Sequence, residues 1–174
     1  MIQNKTEERR FNHTIDFLNS YAEKSFSILD LGIESELSRF LVSRGYQITN
    51  TTGEDLDLEP DIASRYGEFD MVTAFEILEH LVSPFVLLKN LPAKRLIATV
   101  PLRLWFSKAY RNNNDPRDRH FHEFEDWQFD WLLEKSGWTV IKTDKWVSRI
   151  NRIGIRPMLR TITPRYYAVY AERL

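Results

Sequence analysis

Two glutamates and a histidine follow an apolar stretch near the middle of the chain. Residues 69–81 read FDMVTAFEILEHL, in which MVTAF is the apolar part and Glu76, Glu79 and His80 come after it. Spacings of three and four residues place such side chains on one face of a helix. Polar groups at the carboxyl end of a buried strand are where open α/β sheets bind ligands. The stretch therefore predicts a functional site, with a solvated first helical turn as the alternative interpretation.

The composition is that of one globular domain spanning residues 1–174. The chain is 43% hydrophobic and 13% aromatic, which is enough apolar material for a sizeable core. Its apolar runs are all shorter than 18 residues and its first 25 residues are polar, so we expect neither a membrane span nor a signal peptide. The absence of cysteine excludes disulfides and thiolate metal sites, and it favours a cytoplasmic protein.

Basic residues are concentrated near the carboxyl terminus. Residues 142–174 contain eight Lys or Arg against two Asp or Glu, whereas residues 1–141 contain 16 against 23. Within the basic part, arginines recur every three or four residues, at Arg149, Arg152, Arg156 and Arg160. Such a stripe could bind RNA, a phosphate or an acidic partner, and the alternative is an ordinary solvated face.

The elements around this site alternate between helices and strands. An amphipathic helix is predicted within residues 1–24, followed by a strand at 26–31 that ends at Gly32 and then by a second helix. A second strand covers 46–52, and the acidic connection 53–67 is too short for a full helix and strand. The strand that ends at Phe75 comes next.

The second half of the chain continues the alternation. Ser83 and Pro84 begin a helix, and residues 95–100 form a buried strand. Residues 102–122 mix aromatic and polar side chains without periodicity, which indicates a lid or acceptor loop. A helix from Asp126 precedes the last two strands, at 138–142 and 166–171, with a basic insertion at 143–165 between them. The order predicts a doubly wound α/β sheet.

Four blocks of the sequence resemble the class I S-adenosylmethionine-dependent methyltransferases. They are, in that family's order, ILDLG at 28–32, FDMVTAFEILEHL at 69–81, RLIATVP at 95–101 and HEFEDWQFDWLLEKSGWTV at 122–140. The resemblance implies a single Rossmann-like domain with a mostly parallel seven-stranded sheet, whose last strand is antiparallel. It also implies that S-adenosylmethionine binds over the carboxyl ends of the first strands, at Asp30, Gly32, Thr52, Asp55, Phe75 and Glu76.

The glycine loop departs from the family's pattern. The family continues DxGxGxG, whereas this chain has Glu34 and Glu36 where the second and third glycines would be. Glycines there let the donor approach the backbone, and the two glutamates add bulk and negative charge. Alternatively, Ser35 caps the next helix and the carboxylates favour its amino terminus. The loop therefore leaves open a degenerate methyltransferase fold that serves as a binding or regulatory module.

The resemblance also implies a metal site and a reaction. Glu-x-x-Glu-His with a distant histidine is similar to the metal site of the small-RNA 2′-O-methyltransferases, with Glu76, Glu79, His80 and His122 as the ligands here. Such ligands suit a divalent ion such as Mg²⁺ or Mn²⁺, and the alternative is that His80 and His122 are merely hydrogen-bonded. Without a metal, His122 or His120 is the best general base, because imidazole titrates near neutral pH. We expect O-methylation of a small-molecule hydroxyl, with an RNA-directed enzyme as a further alternative.

Overall fold

The computed structural model describes residues 5–148 and 154–174, and these form one α/β domain around a single sheet. Two three-residue 3-10 helices, Leu78–His80 and Pro116–Asp118, lie in the connections. The helices are α1 Lys5–Asn19, α2 Glu36–Ser43, α3 Ile62–Arg65, α4 Pro84–Lys89, α5 Asp126–Lys135 and α6 Ile155–Arg160. The strands are β1 Ser27–Asp30, β2 Gln47–Asn50, β3 Met71–Phe75, β4 Arg95–Pro101, β5 Thr139–Val147 and β6 Pro164–Glu172.

The order of the strands across the sheet is β2-β1-β3-β4-β6-β5. The first four are parallel, and β6 is antiparallel to both of its neighbours. In the register of β1 and β3, Asp30 lies beside Thr73, so the carboxyl ends of these two strands meet at one edge. The predicted α/β class and the central pairing of these strands are confirmed.

The sheet differs from the expected one in its number of strands and in its balance of directions. Six strands are present in the described residues instead of seven, and two of the five pairings are antiparallel, so the sheet is mixed. Residues 53–67 form turns and the four-residue α3, which ends before Gly67. A connection of this length cannot hold both a full helix and a strand, so β2 stays at the edge.

Apolar side chains cover both faces of the sheet, because neighbouring residues of a strand point to opposite faces. One core lies under α1 and α2 and contains Leu18, Ile28 and Met71. The other contains Leu29 and Val72 together with the buried residues of α4 and α5. Burial on both faces explains why β1 and β3 are nearly continuous apolar runs.

The last two strands are longer than the sequence suggested. β5 continues to Val147 and β6 begins at Pro164, so the basic insertion is confined to residues 148–163. These strands pair over most of their length, with an irregularity between Val140 and Lys142. Among the described residues, we find no helix with the length and apolar character that crossing a bilayer requires.

Candidate active site

A cavity of about 270 Å³ opens at the carboxyl ends of β1 and β3. The loop after β1, the end of β3 and one side of α1 form its walls, and Thr99 of β4 closes it. Its lining residues are Arg10, Phe11, Thr14, Asp30, Leu31, Gly32, Ile33, Ser35, Leu37, Phe75, Glu76, Ile77 and Thr99. Four of the expected donor-binding residues, Asp30, Gly32, Phe75 and Glu76, therefore share one cavity.

Asp30 is fully engaged by neighbouring side chains. Its Oδ1 accepts a hydrogen bond from the Thr73 hydroxyl at 2.7 Å, and its Oδ2 accepts bonds from Ser38 at 2.9 Å and Asn50 at 3.0 Å. Burial raises the pKa of Asp30 to about 6, against the opposing effect of these bonds. The carboxylate therefore connects β1, β2, β3 and α2, and Asp30 forms part of the cavity wall.

The loop after β1 turns its glutamate away from the cavity. Glu34 forms an ion pair with Arg39 of α2 at 3.1 Å and is absent from the cavity lining. Ser35 caps α2, since its hydroxyl accepts from the Ser38 amide at 3.1 Å, as the sequence suggested. Gly32 has a φ of +104°, and a Cβ there would lie 3.1 Å from the Ile77 side chain. The replaced glycines thus leave the cavity open, and Gly32 is needed where it stands.

Glu76 occupies an unusual backbone position at the end of β3. Its φ is +56°, in the left-handed region that costs free energy for a residue other than glycine. Its carboxylate lies 3.8 Å from the Arg10 guanidinium, and its Oε1 is buried without a hydrogen-bond partner in the described part of the chain. Burial raises the pKa of Glu76, whereas Arg10 lowers it. A strained, buried and incompletely paired carboxylate is typical of a functional site.

A second cluster of polar groups lies next to Glu76 and contains Glu79, His80 and His120. One ligand atom from each lies within 4.8 Å of the others. The Nδ1 atom of His80 lies 3.1 Å from the Arg119 carbonyl oxygen, and its Nε2 atom lies 3.7 Å from Glu79 Oε1. A carbonyl at Nδ1 fixes that nitrogen as the donor, which leaves the Nε2 lone pair facing Glu79.

Burial perturbs the protonation of this cluster. Burial and the nearby Glu76 carboxylate raise the pKa of Glu79 well above its ordinary value. Burial and the nearby His80 lower the pKa of His120. Glu79 Oε2 and His120 Nδ1 are both buried and lack a hydrogen bond within the described ranges, although Nδ1 is 3.4 Å from Glu123. One carboxylate oxygen and one imidazole nitrogen without hydrogen-bond partners are the kinds of atom that bind a cation.

The cluster differs from the expected ligand set at two residues. His122 lies with Nε2 3.3 Å from the Val82 carbonyl and its ring stacked on Phe124, so it faces a separate groove. Glu76 directly follows β3 instead of lying on a helix with Glu79, because the helical residues here are Leu78–His80. The structure therefore groups His120, in place of His122 and Glu76, with Glu79 and His80.

The end of β2 carries a third polar group. Glu54 accepts hydrogen bonds from the Thr52 amide at 2.8 Å and from the Tyr66 hydroxyl at 2.5 Å. These bonds lower the pKa of Glu54 to about 2. Asp55, which was expected here, instead caps a turn by accepting from the Asp57 amide at 3.1 Å. Thr52 and Glu54 thus form a hydrogen-bonded polar pair just after this strand.

Some site residues gave no signal in the sequence, and some predictions lie outside the structure. Arg10 reaches the cavity only because α1 packs across the sheet, and sequence reasoning did not identify it. His120 was identified as a general base but not as a member of the cluster. Of the arginine stripe, Arg156 lies on α6 and Arg160 ends it, whereas Arg149 and Arg152 lie outside the described residues.

Comparisons with known proteins identify the fold. The sequence matches no family model and no curated protein. A methyltransferase from Archaeoglobus fulgidus is 15% identical at a TM-score of 0.63, covering 95% of this chain and 94% of that one. Magnesium protoporphyrin IX methyltransferase from Synechocystis, with bound S-adenosylmethionine, is 13% identical at 0.59, covering 97% and 80%.

A third similar structure is a complex of two proteins. It contains the Haloferax volcanii Trm112 methyltransferase activator and its methyltransferase, with 13% identity, a TM-score of 0.63 and coverage of 97% and 91%. Similarity at such low identity, over nearly the whole chain, concerns the fold alone. The order of elements, the sheet and these comparisons together show that the chain has the fold of the class I S-adenosylmethionine-dependent methyltransferases.

Proposed function

We propose that the chain is a methyltransferase that binds S-adenosylmethionine in the cavity between β1 and β3. The observation that carries the proposal is the cavity of about 270 Å³, which lies at the carboxyl ends of these strands and is lined by Gly32, Phe75 and Glu76. Ligands of open α/β sheets bind at this edge. S-adenosylmethionine, when bound, supplies a methyl group on a positively charged sulfur.

The charges of the cavity suit the methionine end of this donor, which carries an ammonium and a carboxylate. Glu76 presents a buried oxygen without a partner among the described residues, and the Arg10 guanidinium lies 3.8 Å from its carboxylate. Glu76 would pair with the ammonium and Arg10 with the carboxylate. At the end of β2, Glu54 would accept bonds from the ribose hydroxyls, and Thr52 orients it.

On the acceptor side, His120 supports transfer to a hydroxyl. Without a metal, its lowered pKa keeps the imidazole neutral at neutral pH, so it can accept the proton that an acceptor hydroxyl loses. With a divalent cation such as Mg²⁺ or Mn²⁺ bound, Glu79, His80 and His120 would instead be its ligands, and the cation would lower the pKa of a bound hydroxyl. These residues favour O-methylation of a small-molecule hydroxyl.

A binding or regulatory module without methyl transfer is the second candidate. It is favoured by Asp30, whose two oxygens are occupied by Thr73, Ser38 and Asn50 and so offer nothing to a donor. The two candidates differ in one property, which is affinity for the donor.

Thermal shift with S-adenosylhomocysteine separates the candidates at the level of single residues. A ligand at 100 times its Kd stabilises a protein by about 2.7 kcal/mol, so a clear rise in Tm is expected. Glu76→Gln keeps the shape of the side chain and should lose most of the rise. Glu34→Gln, which removes a carboxylate outside the cavity, should keep it. An equal rise in both variants would contradict the assignment of Glu76.

The acceptor chemistry needs a separate assay. Labelled methyl groups should pass from S-adenosylmethionine to hydroxyl compounds, and His120→Ala should slow the transfer by roughly a hundredfold. Transfer to amines or thiols alone would contradict the proposed acceptor class.

A further inference from the structure

The segment between β5 and β6 exposes large aliphatic side chains to solvent. Ile155 and Met158 of α6 and Ile162 of the following turn have exposed fractions of 76%, 61% and 71%. Their spacing of three and four residues places them on one side of the helical turn. Single exposed apolar residues are ordinary, but three on one side form a patch of the kind that marks an interaction site.

Positive charge lies on the other side of α6. Arg156 and Arg160 are four residues apart, and at 3.6 residues per turn they face away from Met158 and form the polar side of a short amphipathic turn. Neither forms an ion pair with a carboxylate of residues 5–148 or 154–174. By contrast, Arg103 and Lys145 nearby are paired with Glu125 and Asp126. Arg156 and Arg160 are thus two positive charges that no carboxylate of the described residues pairs with.

A further exposed apolar side chain lies beside the residues that follow α6. Trp105 is 71% exposed and shares a groove of about 400 Å³ with Thr163 and Pro164, which follow α6. The Leu102 amide donates to the Arg165 carbonyl at 2.7 Å, which holds the two segments together. Because β6 is antiparallel to β4, this groove lies at the same edge of the sheet as the donor cavity.

An aliphatic side with arginines on the other side of the turn fits a lipid surface better than it fits a nucleic acid. Nucleic acids are bound by basic groups together with several aromatic rings on which bases stack, whereas this surface has one such ring, Trp105, among three aliphatic side chains. At a bilayer, the aliphatic groups enter the boundary between headgroups and acyl chains while arginines contact anionic headgroups, and tryptophan favours that boundary. We propose that Trp105, Ile155, Arg156, Met158, Arg160 and Ile162, the basic apolar surface, dock the protein on an anionic lipid bilayer.

Cosedimentation with vesicles tests this surface independently of methyl transfer. The full chain should bind phosphatidylcholine vesicles that contain phosphatidylglycerol. Its affinity for vesicles of phosphatidylcholine alone should be roughly tenfold lower, because each arginine near an anionic surface adds to binding. Added salt should weaken binding, since the attraction falls within a Debye length. No binding to the anionic vesicles, or equal binding to both kinds, would overturn the proposal.

Paired variants separate the contribution of the aliphatic side chains from that of the arginines. Ile155→Ser with Ile162→Ser, and Arg156→Gln with Arg160→Gln, should each weaken binding roughly tenfold. Their controls change exposed residues beside β2 and α4, as Val42→Ser with Leu58→Ser and as Arg44→Gln with Lys89→Gln, and these should bind like wild type. All the changed side chains are exposed except Arg160, which is half-buried, and an unchanged Tm verifies folding.

Two results would overturn the proposal. The first is binding of both test pairs to anionic vesicles with wild-type affinity. The second, which would assign the surface to nucleic acid, is that the wild-type chain binds a single-stranded RNA but no vesicles, and that the arginine pair no longer binds the RNA.

Discussion

Three buried carboxylates at the carboxyl edge of the sheet define the chemistry of the site at the scale of single residues. Burial raises the pKa of Asp30, Glu76 and Glu79, and each has a different neighbourhood. Asp30 accepts hydrogen bonds from three side chains and Glu76 lies beside the Arg10 guanidinium, whereas Glu79 Oε2 has no hydrogen-bond partner among the described residues. Asp30 is therefore structural, whereas Glu76 and Glu79 have capacity for a ligand.

Asp30 gives a measurable pH dependence. Its folded pKa of about 6 is above the ordinary 3.8, so the folded state binds this proton more tightly than the unfolded state does. The protonated form is favoured in the fold, and stability from this group is lost as pH rises from about 4 to about 6. The loss amounts to about 3 kcal/mol, as an order of magnitude. In Asp30→Asn this component should vanish, which urea unfolding at several pH values will measure.

The histidine cluster predicts which imidazole matters for metal binding. Added Mn²⁺ or Mg²⁺ should raise the Tm, because a bound cation relieves the repulsion between Glu79 and Glu76. His120→Ala should remove most of this gain, while His122→Ala should keep it, since the His122 ring faces Val82. The gain should fade below about pH 6, where protonation of imidazole competes with the metal. The opposite ranking of the two variants would restore the ligand set expected from the sequence.

The sequence could predict the site at this scale only in part. Glu79 and His80 follow a buried strand directly, so their place at its carboxyl end is a local property. The choice between His120 and His122 depends on the path of a loop 40 residues away, where residues two apart need not share a direction. Local sequence patterns do not encode that path.

At the scale of elements, α1 completes the cavity. Phe11, Thr14 and Arg10 of this helix line it, and Leu18 is fully buried in the core beneath α1. The amphipathic pattern predicted the helix and its packing. It did not predict that the helix would carry an arginine to Glu76, because that contact depends on how the helix crosses the sheet.

Arg10 should therefore contribute to donor affinity. Arg10→Gln removes a charge from the cavity wall and should weaken S-adenosylhomocysteine binding roughly tenfold, as expected for the loss of one partly buried charge pair. The matched control is Arg9→Gln on the exposed side of the same helix, which should bind like wild type. Equal affinities of the two variants, determined by calorimetry, would exclude Arg10 from the site.

The number of strands illustrates the limit of resemblance at this scale. The family's pattern favoured a seventh strand, whereas the 15 residues of the connection 53–67 are too few for a helix and a strand. The short connection leaves no room for a further strand, so β2 remains the edge strand of the described sheet and pairs with β1 alone among the described strands.

At the scale of the whole molecule, two cores on opposite faces of the sheet hold the strand ends in place. Trp138 joins distant elements in one of these cores, because its indole Nε1 donates to the Leu88 carbonyl at 2.9 Å. Its side chain is 2% exposed, and the bond connects the start of β5 with α4.

Removing this bond should destabilise the fold without touching the cavity. Trp138→Phe leaves the Leu88 carbonyl without its donor and opens space in the core, which should lower the free energy of unfolding by about 2 to 4 kcal/mol. Trp131→Phe changes an exposed tryptophan and should cost less than about 0.5 kcal/mol. Urea unfolding will compare them, and similar costs would show that Trp138 does not connect the layers.

The central claim is that a methyltransferase donor binds between β1 and β3, and calorimetric titration with S-adenosylhomocysteine tests it most directly. The wild-type chain should bind one molecule with micromolar affinity, because Glu34 is turned toward Arg39 and the cavity is open. The absence of both heat and a rise in Tm at millimolar ligand would contradict the claim. That result would favour the second candidate, a binding or regulatory module without methyl transfer.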